Sequence, residues 1–282
     1  MYLKLIIILW VGATGLIKAL ADDYLSGSNT MGSIEWVCNH SRNTQLGLLH
    51  DVVDLALTYE RDQEDLAASE GWSVTAGCVF HDHFCLAGPS SDPAGLESAT
   101  SLVEALCKIA KSASLFHSRG DSSATMWKER LLWSQGGLEP WKDPDAATWY
   151  KISTHSPSEA LTAADAAGAY LLTDRSTLLM QTASKTIYNS TVFFEPTAVD
   201  DVLMNSCYAL FSPHSSAQRA ADVARLIQYL LSARGQNIVA SLGREEVGFP
   251  FFARVSDGFA ASFLKGGIPR EGKWVKAKES TK

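Results

Sequence analysis

Short apolar runs with the character of β-strands alternate with amphipathic helical patterns along this 282-residue chain. Residues 34–38 and 52–58 are apolar runs of strand length, whereas residues 60–70 follow a helical pattern that Gly71 ends. Alternation of this kind is typical of a parallel sheet whose faces are covered by helices. The sequence therefore predicts an α/β fold.

Two helix starts carry clear capping signals. Ser156 is followed by a proline and, three residues later, by Glu159, which is the arrangement of a capping box with proline in the first turn. Later in the chain, Ser215 opens a long amphipathic pattern that Gly235 closes. We expect one helix from each start.

Chain length and one pair of similar segments predict two lobes. A single hydrophobic core rarely grows beyond ~250 residues. Residues 79–89 and 202–213 are both β-prone runs that end in a proline turn, and a two-lobed protein needs two strands that cross its hinge. We predict lobe one from residues 1–85 plus 206–282 and lobe two from residues 86–205.

The N-terminal segment allows two interpretations. Lys4, the apolar stretch after it and the small residues at 19–21 resemble a signal peptide, although Lys18 would lie just before the cleavage point. Alternatively, residues 3–11 form a buried strand and residues 16–24 a helix. We favour the strand. The cellular location of the protein therefore stays open. A signal segment would make it secreted or periplasm-like, and without one it would be intracellular and soluble.

Charge and cysteine content exclude two classes of protein. A net charge of -7 disfavours nucleic acid as a partner, because phosphates are repelled without a compensating basic face. Five scattered cysteines do not form a disulfide framework, and their odd number leaves at least one thiol free.

A strand–turn–helix stretch around residue 120 carries the most informative chemistry. Ser118 and Arg119 precede the turn and Ser122 follows it, so hydroxyls, a guanidinium and the free N–H groups of a helix start are predicted to meet. An anion binds at such a place without a basic surface. The alternative is an ordinary capped helix whose Arg119 pairs with Asp121.

Other predicted strand ends repeat this chemistry. Open α/β sheets bind ligands in the crevice outside the carboxyl ends of their strands. The candidate ligand-binding side chains there are Thr154, Thr173 and Arg175 in lobe two, and Thr14, Ser41 and Thr44 in lobe one.

His81 and His83 invite a metal interpretation, since alternate residues of a strand share a face. A zinc site needs a third ligand, and local sequence provides none. We favour a hinge hydrogen-bond network and predict no metal.

Four segments together resemble the tungstate-binding proteins of ABC importers, which have the type II periplasmic-binding-protein fold. These segments are residues 52–57, 84–95, 118–123 and 168–175. The resemblance implies two lobes joined by two crossing hinge strands, and a tungstate or molybdate dianion held between them by hydroxyls, backbone amides and an arginine. Carried onto this chain, it implicates Ser118 and Arg119 first, then Thr173 and Arg175.

The resemblance also implies a non-enzymatic, monomeric solute-binding protein. Its ligand is a small inorganic oxyanion, it has no other cofactor, and its partner is a membrane transporter or receptor. Two lobe-one loops depart from the family pattern, at residues 12–15 and 40–44. Two alternatives therefore stay open: a metal-dependent hydrolase that uses His81 and His83, and a receptor-like module with an altered pocket.

Overall fold

The computed structural model describes residues 2–8, 14–27, 32–153, 155–260 and 274–275. Its strands are β1 (Tyr2–Ile8), β2 (Ser33–Asn39), β3 (Leu55–Thr58), β4 (Val74–Pro89), β5 (Phe116–Ser118), β6 (Tyr150–Ile152), β7 (Leu171–Asp174), β8 (Ser190–Phe194), β9 (Met204–Phe211), β10 (Phe259–Ala260) and β11 (Trp274–Val275). Its helices are α1 (Leu16–Gly27), α2 (Ser41–Leu49), α3 (Arg61–Ser69), α4 (Leu102–Ser112), α5 (Ala124–Gln135), α6 (Pro157–Ala167), α7 (Arg175–Ala183), α8 (Ala217–Leu231), α9 (Ala233–Ser241) and α10 (Arg244–Val247).

The main sheet is mixed rather than wholly parallel. Its strands follow the order β2-β1-β3-β9-β4-β7, and β8 pairs with β4 beside this path. β1 is parallel to β2 and β3, whereas β9 runs antiparallel to both β3 and β4. A separate parallel pair, β5 and β6, lies next to β7. The α/β prediction is confirmed, and the two crossing segments introduce the antiparallel pairing.

The long strand β4 passes from one lobe to the other. Up to His83 it pairs with β9, and from Phe84 onward it pairs with β7. The backbone N–H of Phe84 donates to the carbonyl of Leu203 at 2.8 Å, at the start of the second crossing segment. The fold is therefore two-lobed around a hinge, as predicted. The lobe boundaries at residues 85 and 206 stay a prediction.

Buried apolar side chains form two main clusters. The larger contains the inner face of α1, with Leu16, Ile17, Leu20 and Tyr24, and continues past β4 to α7. The smaller lies in lobe two, where the rings of Phe116 and Tyr150 stack around Trp133. Because packed aromatic cores hold their backbone rigidly, this cluster fixes the turn that follows β5.

Most predicted elements are confirmed near their expected bounds. The first strand covers residues 2–8, while residues 9–11 of the predicted strand lie outside the described residues, and the helix after it begins at Leu16. Ser156 and Glu159 form the predicted capping box, with both of its hydrogen bonds present. The third strand is shorter than predicted, since it begins only at Leu55.

The prediction of one helix from Ser215 to Gly235 is wrong. Ser216 is the actual N-cap of α8, and Ser232 separates it from α9, whose first turn contains Gly235. A side chain at Gly235 would lie 2.4 Å from the carbonyl oxygen of Tyr229. This glycine therefore permits a close contact between two helices, instead of ending one.

Across the parts of the chain that the structure describes, none of the helices combines the length and apolar character needed to cross a bilayer.

Candidate functional site

The carboxyl ends of the parallel lobe-one strands lie at one edge of the sheet. Ile7 pairs with both Cys38 and Leu57, so β1, β2 and β3 end side by side. Helix α2 begins two residues after β2, and α3 begins three residues after β3. The N-cap of α2, His40, makes no side-chain capping hydrogen bond within the described structure. The start of this helix therefore lacks a capping side chain from His40, at the edge of the sheet where α/β proteins bind ligands.

Lobe two has an equivalent edge. β5 pairs in parallel with β6, and Phe116 forms a parallel bridge with Tyr170 just before β7. Helices α5, α6 and α7 begin shortly after these three strands. The predicted strand ends therefore do meet at one edge.

A cleft of about 190 Å³ separates the starts of α2 and α5. It is lined by Arg42 and Glu60 from lobe one and by Gly120, Asp121, Ser122, Ser123, Met126, Trp127 and Arg130 from lobe two. A second cavity of about 220 Å³ shares Glu60 and Trp127 with it, so the two form one crevice between the lobes.

Arg42 connects the two sides of this crevice. Its Nε lies 3.2 Å from Oε2 of Glu60, and its guanidinium lies 4.5 Å from the ring centroid of Trp127. Burial raises the pKa of Glu60, and the Arg42 guanidinium partly offsets this. Arg42 is half-exposed and can turn toward a ligand, but the Glu60 side chain is only 2% exposed and would lose this partner if Arg42 did so.

Arg119 and Asp121 form an ion pair at the start of α5. Arg119 is only 5% exposed, and its Nε and Nη2 both donate to Oδ2 of Asp121, the former at 3.0 Å. The other carboxylate oxygen accepts from the backbone N–H of Ser123 at 3.0 Å and from its hydroxyl. Burial acts to raise the pKa of Asp121, but the Arg119 charge and the Ser123 hydrogen bonds hold it below its ordinary value. The ion-pair alternative is therefore present, and a carboxylate occupies the donors that an external anion would use.

Ser118 lies directly behind this pair and is buried. Its hydroxyl lies 3.3 Å from the sulfur of Met126 and also hydrogen-bonds with Glu129. Glu129 accepts a 2.6 Å hydrogen bond from the hydroxyl of Tyr150. Burial raises the pKa of Glu129 to about 7, although these hydrogen bonds partly offset it. Ser118 is thus part of a buried network that ends at the wall of the cleft.

Thr173 and Arg175 lie at the hinge and line neither cavity. Thr173 is buried opposite Cys85 in the pairing of β7 with β4. Arg175, 2% exposed, donates from Nη1 to the carbonyls of Pro250 and Phe251, the latter at 2.9 Å. It therefore anchors the C-terminal segment, a contact that local sequence could not indicate.

The remaining predicted ligands are spread over lobe one and the cleft rim. Ser122 is exposed and lines the cleft. Ser41 is buried and accepts a long bond of 3.4 Å from the N–H of Tyr59, while Thr44 donates to the carbonyl of His40 at 3.0 Å. Thr14 is half-buried in the turn before α1. Thr154 lies outside the described residues.

Of the residues that line the cleft, only Ser122 was predicted as a ligand; those not predicted include Arg42, Glu60, Trp127 and Arg130. Spacing gives a signal for two of them, since Ser123, Trp127 and Arg130 recur at helical intervals and share one face of α5. Arg42 and Glu60 follow different strands, β2 and β3, and they come together only because both strands pair with β1.

His81 and His83 do not share a metal-binding cluster among the described residues. Nδ1 of His81 lies 2.7 Å from the hydroxyl of Ser206, whereas Nε2 of His83 lies 3.5 Å from Oε2 of Glu195. The histidine pair on which the hydrolase alternative depends is therefore not formed.

Comparisons with known proteins agree with this architecture. The tungstate-binding protein TupA of Peptoclostridium acidaminophilum is 28% identical over 210 residues, which is 71% of this chain and 67% of that protein. The tungstate ABC transporter structure from Geobacter sulfurreducens has a TM-score of 0.66 at 26% identity, covering 84% of this chain and 97% of that chain.

A Haloferax volcanii protein named as a candidate anion-binding protein of an ABC transporter is 36% identical over 126 residues. That match covers 45% of this chain and about a third of the relative, 35%. These findings confirm the resemblance found in the sequence. The PBP superfamily domain model matches residues 13–234. The chain therefore belongs to the PBP superfamily.

Proposed function

We propose that this chain is a solute-binding protein that captures a tetrahedral oxyanion of the tungstate and molybdate class between its lobes. It delivers the anion to a membrane transporter and catalyses no reaction. TupA and the Geobacter tungstate transporter, which the chain resembles, support this ligand class and this partner.

The observation that carries the proposal is the convergence of two helix starts from opposite lobes on one cleft. Helix N-termini offer free N–H groups and about half a positive charge, so they stabilise an anion. Arg42 and Arg130 line the cleft beside them, and Arg119 reaches its wall through Asp121. A buried dianion needs hydrogen-bond donors on all sides, and donors from both lobes meet that need.

Asp121 gives binding a definite geometry. Its carboxylate accepts hydrogen bonds from the Arg119 guanidinium and from the backbone N–H and hydroxyl of Ser123. We infer that the incoming oxyanion replaces this carboxylate as their partner, while Asp121 turns toward solvent. Arg119 and Ser123 would then still have a hydrogen-bond acceptor in the bound state. This favours replacement of the Asp121 carboxylate by the anion over binding of the anion beside it.

Isothermal titration with tungstate, molybdate, sulfate and phosphate tests the proposal. We expect heat and a rise in Tm with tungstate and molybdate, both reduced in Arg119→Ala. Arg225→Ala is the matched control, since Arg225 also pairs with a nearby aspartate, Asp222, but on α8. Absence of binding with all four anions would contradict the proposal, as would equal loss in both variants.

A further inference from the structure

Three side chains with metal-binding atoms meet at the hinge. His83 and Cys85 lie two residues apart on β4, and Glu195 directly follows β8, which pairs with β4. One ligand atom from each residue lies within 4.8 Å of the other two. His83 is 1% exposed, Cys85 is fully buried and the Glu195 side chain is 11% exposed.

These distances suit a small tetrahedral metal ion. Zinc bonds to nitrogen, oxygen and sulfur at about 2.0 to 2.3 Å, which places its ligand atoms about 3.5 Å apart. Nε2 of His83 and Oε2 of Glu195 already lie 3.5 Å apart. The Cys85 sulfur lies within 4.8 Å of both of these atoms. We propose that His83, Cys85 and Glu195 form a zinc site in the hinge.

Local charge favours a cation at this place. The groups that act electrostatically on Cys85 include three carboxylates, Glu195, Asp82 and Asp174, against the guanidinium of Arg175. Burial raises the pKa of Asp82 well above its ordinary value and so favours its neutral form, but Glu195 and Asp174 still outnumber the single guanidinium. Zinc binds a cysteine as the thiolate, so it would displace the thiol proton of Cys85.

Thr173 supplies an independent observation. Its hydroxyl is buried and has no hydrogen-bond partner within the described structure. Thr173 faces Cys85 directly in the antiparallel register, and opposed residues of such a pair share a face of the sheet. A hydroxyl there can donate to a metal-bound thiolate or to a water in the fourth zinc position, and such outer contacts orient metal ligands.

This site is separate from the proposed anion cleft, because none of its three ligands lines that cleft. It would tie β4 to the segment that leaves β8, at the point where β4 exchanges β9 for β7. Zinc bound there would stabilise the hinge by mass action on the folded state.

Cobalt provides the test, because a cysteine bound to Co²⁺ gives a thiolate charge-transfer band. The full chain without a histidine tag would be produced in cobalt-supplemented minimal medium. We expect one cobalt per chain with this band and with the intense visible bands of tetrahedral cobalt. Cys85→Ser should abolish the charge-transfer band. Cys107→Ser should keep it, since Cys107 lies on α4 and contacts the carbonyl of Gly136. A spectrum without the band, or one that Cys85→Ser leaves unchanged, overturns the proposal.

Zinc affinity gives a second measurement that does not depend on Cys85. Glu195→Gln keeps the shape of the side chain and removes one charged ligand. Competition with a chelator should show zinc affinity at least tenfold weaker than in the unmodified chain, with a normal circular dichroism spectrum. Equal affinities would exclude Glu195, and with it the three-ligand site.

Discussion

The Arg119 guanidinium and the Asp121 carboxylate form a two-residue ion pair at the start of α5, so the strongest donor of the cleft already holds an anion of the protein itself. The same carboxylate accepts a hydrogen bond from the backbone N–H of Ser123, close to the positive end of the helix dipole. Under the proposed function, ligand binding at this cleft is a competition between an internal carboxylate and an external oxyanion.

Asp121→Asn should strengthen tungstate binding. The amide removes a negative charge beside the dianion and releases Arg119, while its oxygen still accepts from Ser123. Hydrogen bonds to charged groups contribute about 1.5 to 3 kcal/mol, so relief of even part of this competition should tighten Kd about fivefold or more. Isothermal titration measures the change. A weaker affinity would show that Asp121 positions Arg119 for the ligand.

Arg119→Ala should weaken anion binding more than any serine substitution in the cleft. Loss of its charged hydrogen bonds should cost about 1.5 to 3 kcal/mol, against about 0.5 to 1.5 kcal/mol for Ser118→Ala. Arg119→Lys should restore only part of the lost anion affinity, because an ammonium keeps the charge but lacks the planar fork of the guanidinium. Normal anion affinity in Arg119→Ala would assign the residue to a purely structural pair with Asp121.

Arg175→Ala should lower stability and leave the anion affinity of the folded protein within about twofold. Its guanidinium donates to the Pro250 and Phe251 carbonyls, and a buried acceptor left without its donor costs about 1 to 3 kcal/mol. Urea denaturation and titration of the same preparation separate the two effects. Weaker binding at unchanged stability would instead place Arg175 in the anion site, as the family resemblance implies.

Glu129 should make stability fall as pH rises from about 4.5 to about 7. Burial raises its folded pKa to about 7 from the ordinary value of 4.5, so between these two pH values the folded state holds a proton that the unfolded state has lost. The resulting stabilisation is complete below about pH 4.5 and is lost as pH rises through about 7, with a total on the order of 3 kcal/mol.

Glu129→Gln removes this titration, because an amide stays neutral. The stability of the variant relative to the original chain should rise between about pH 4.5 and about pH 7 and level off above that pH. Urea denaturation at several pH values measures the difference. A difference that does not change with pH would mean that Glu129 is ionised in the folded protein throughout this range.

Gly235→Ala should destabilise the protein, although alanine favours helices by about 1 kcal/mol. The added methyl group would lie 2.4 Å from the Tyr229 carbonyl oxygen, and backbone must move to relieve the contact. We expect a net loss of about 1 to 3 kcal/mol, typical of overpacking. Chemical denaturation checks the sign, and a gain in stability would show that α8 and α9 can separate at little cost.

The sequence by itself determined the local elements and the class of fold. Apolar periodicity placed the inner face of α1, and side-chain capping chemistry placed the start of α6 at Ser156, because both depend on residues close together in the chain. Four dispersed segments were enough to indicate the family. The choice between a ligand-binding and an ion-paired Arg119 was stated but could not be made.

Only the tertiary structure decided which side chains meet. Arg42 reaches Trp127, Arg175 reaches the Pro250 carbonyl, and His83 meets Glu195, although each pair is separated by more than 70 residues of sequence. The pKa of Glu129 depends in the same way on burial by its surroundings. Side-chain pairing and desolvation arise from packing between distant segments, and local sequence patterns carry no information about those distances.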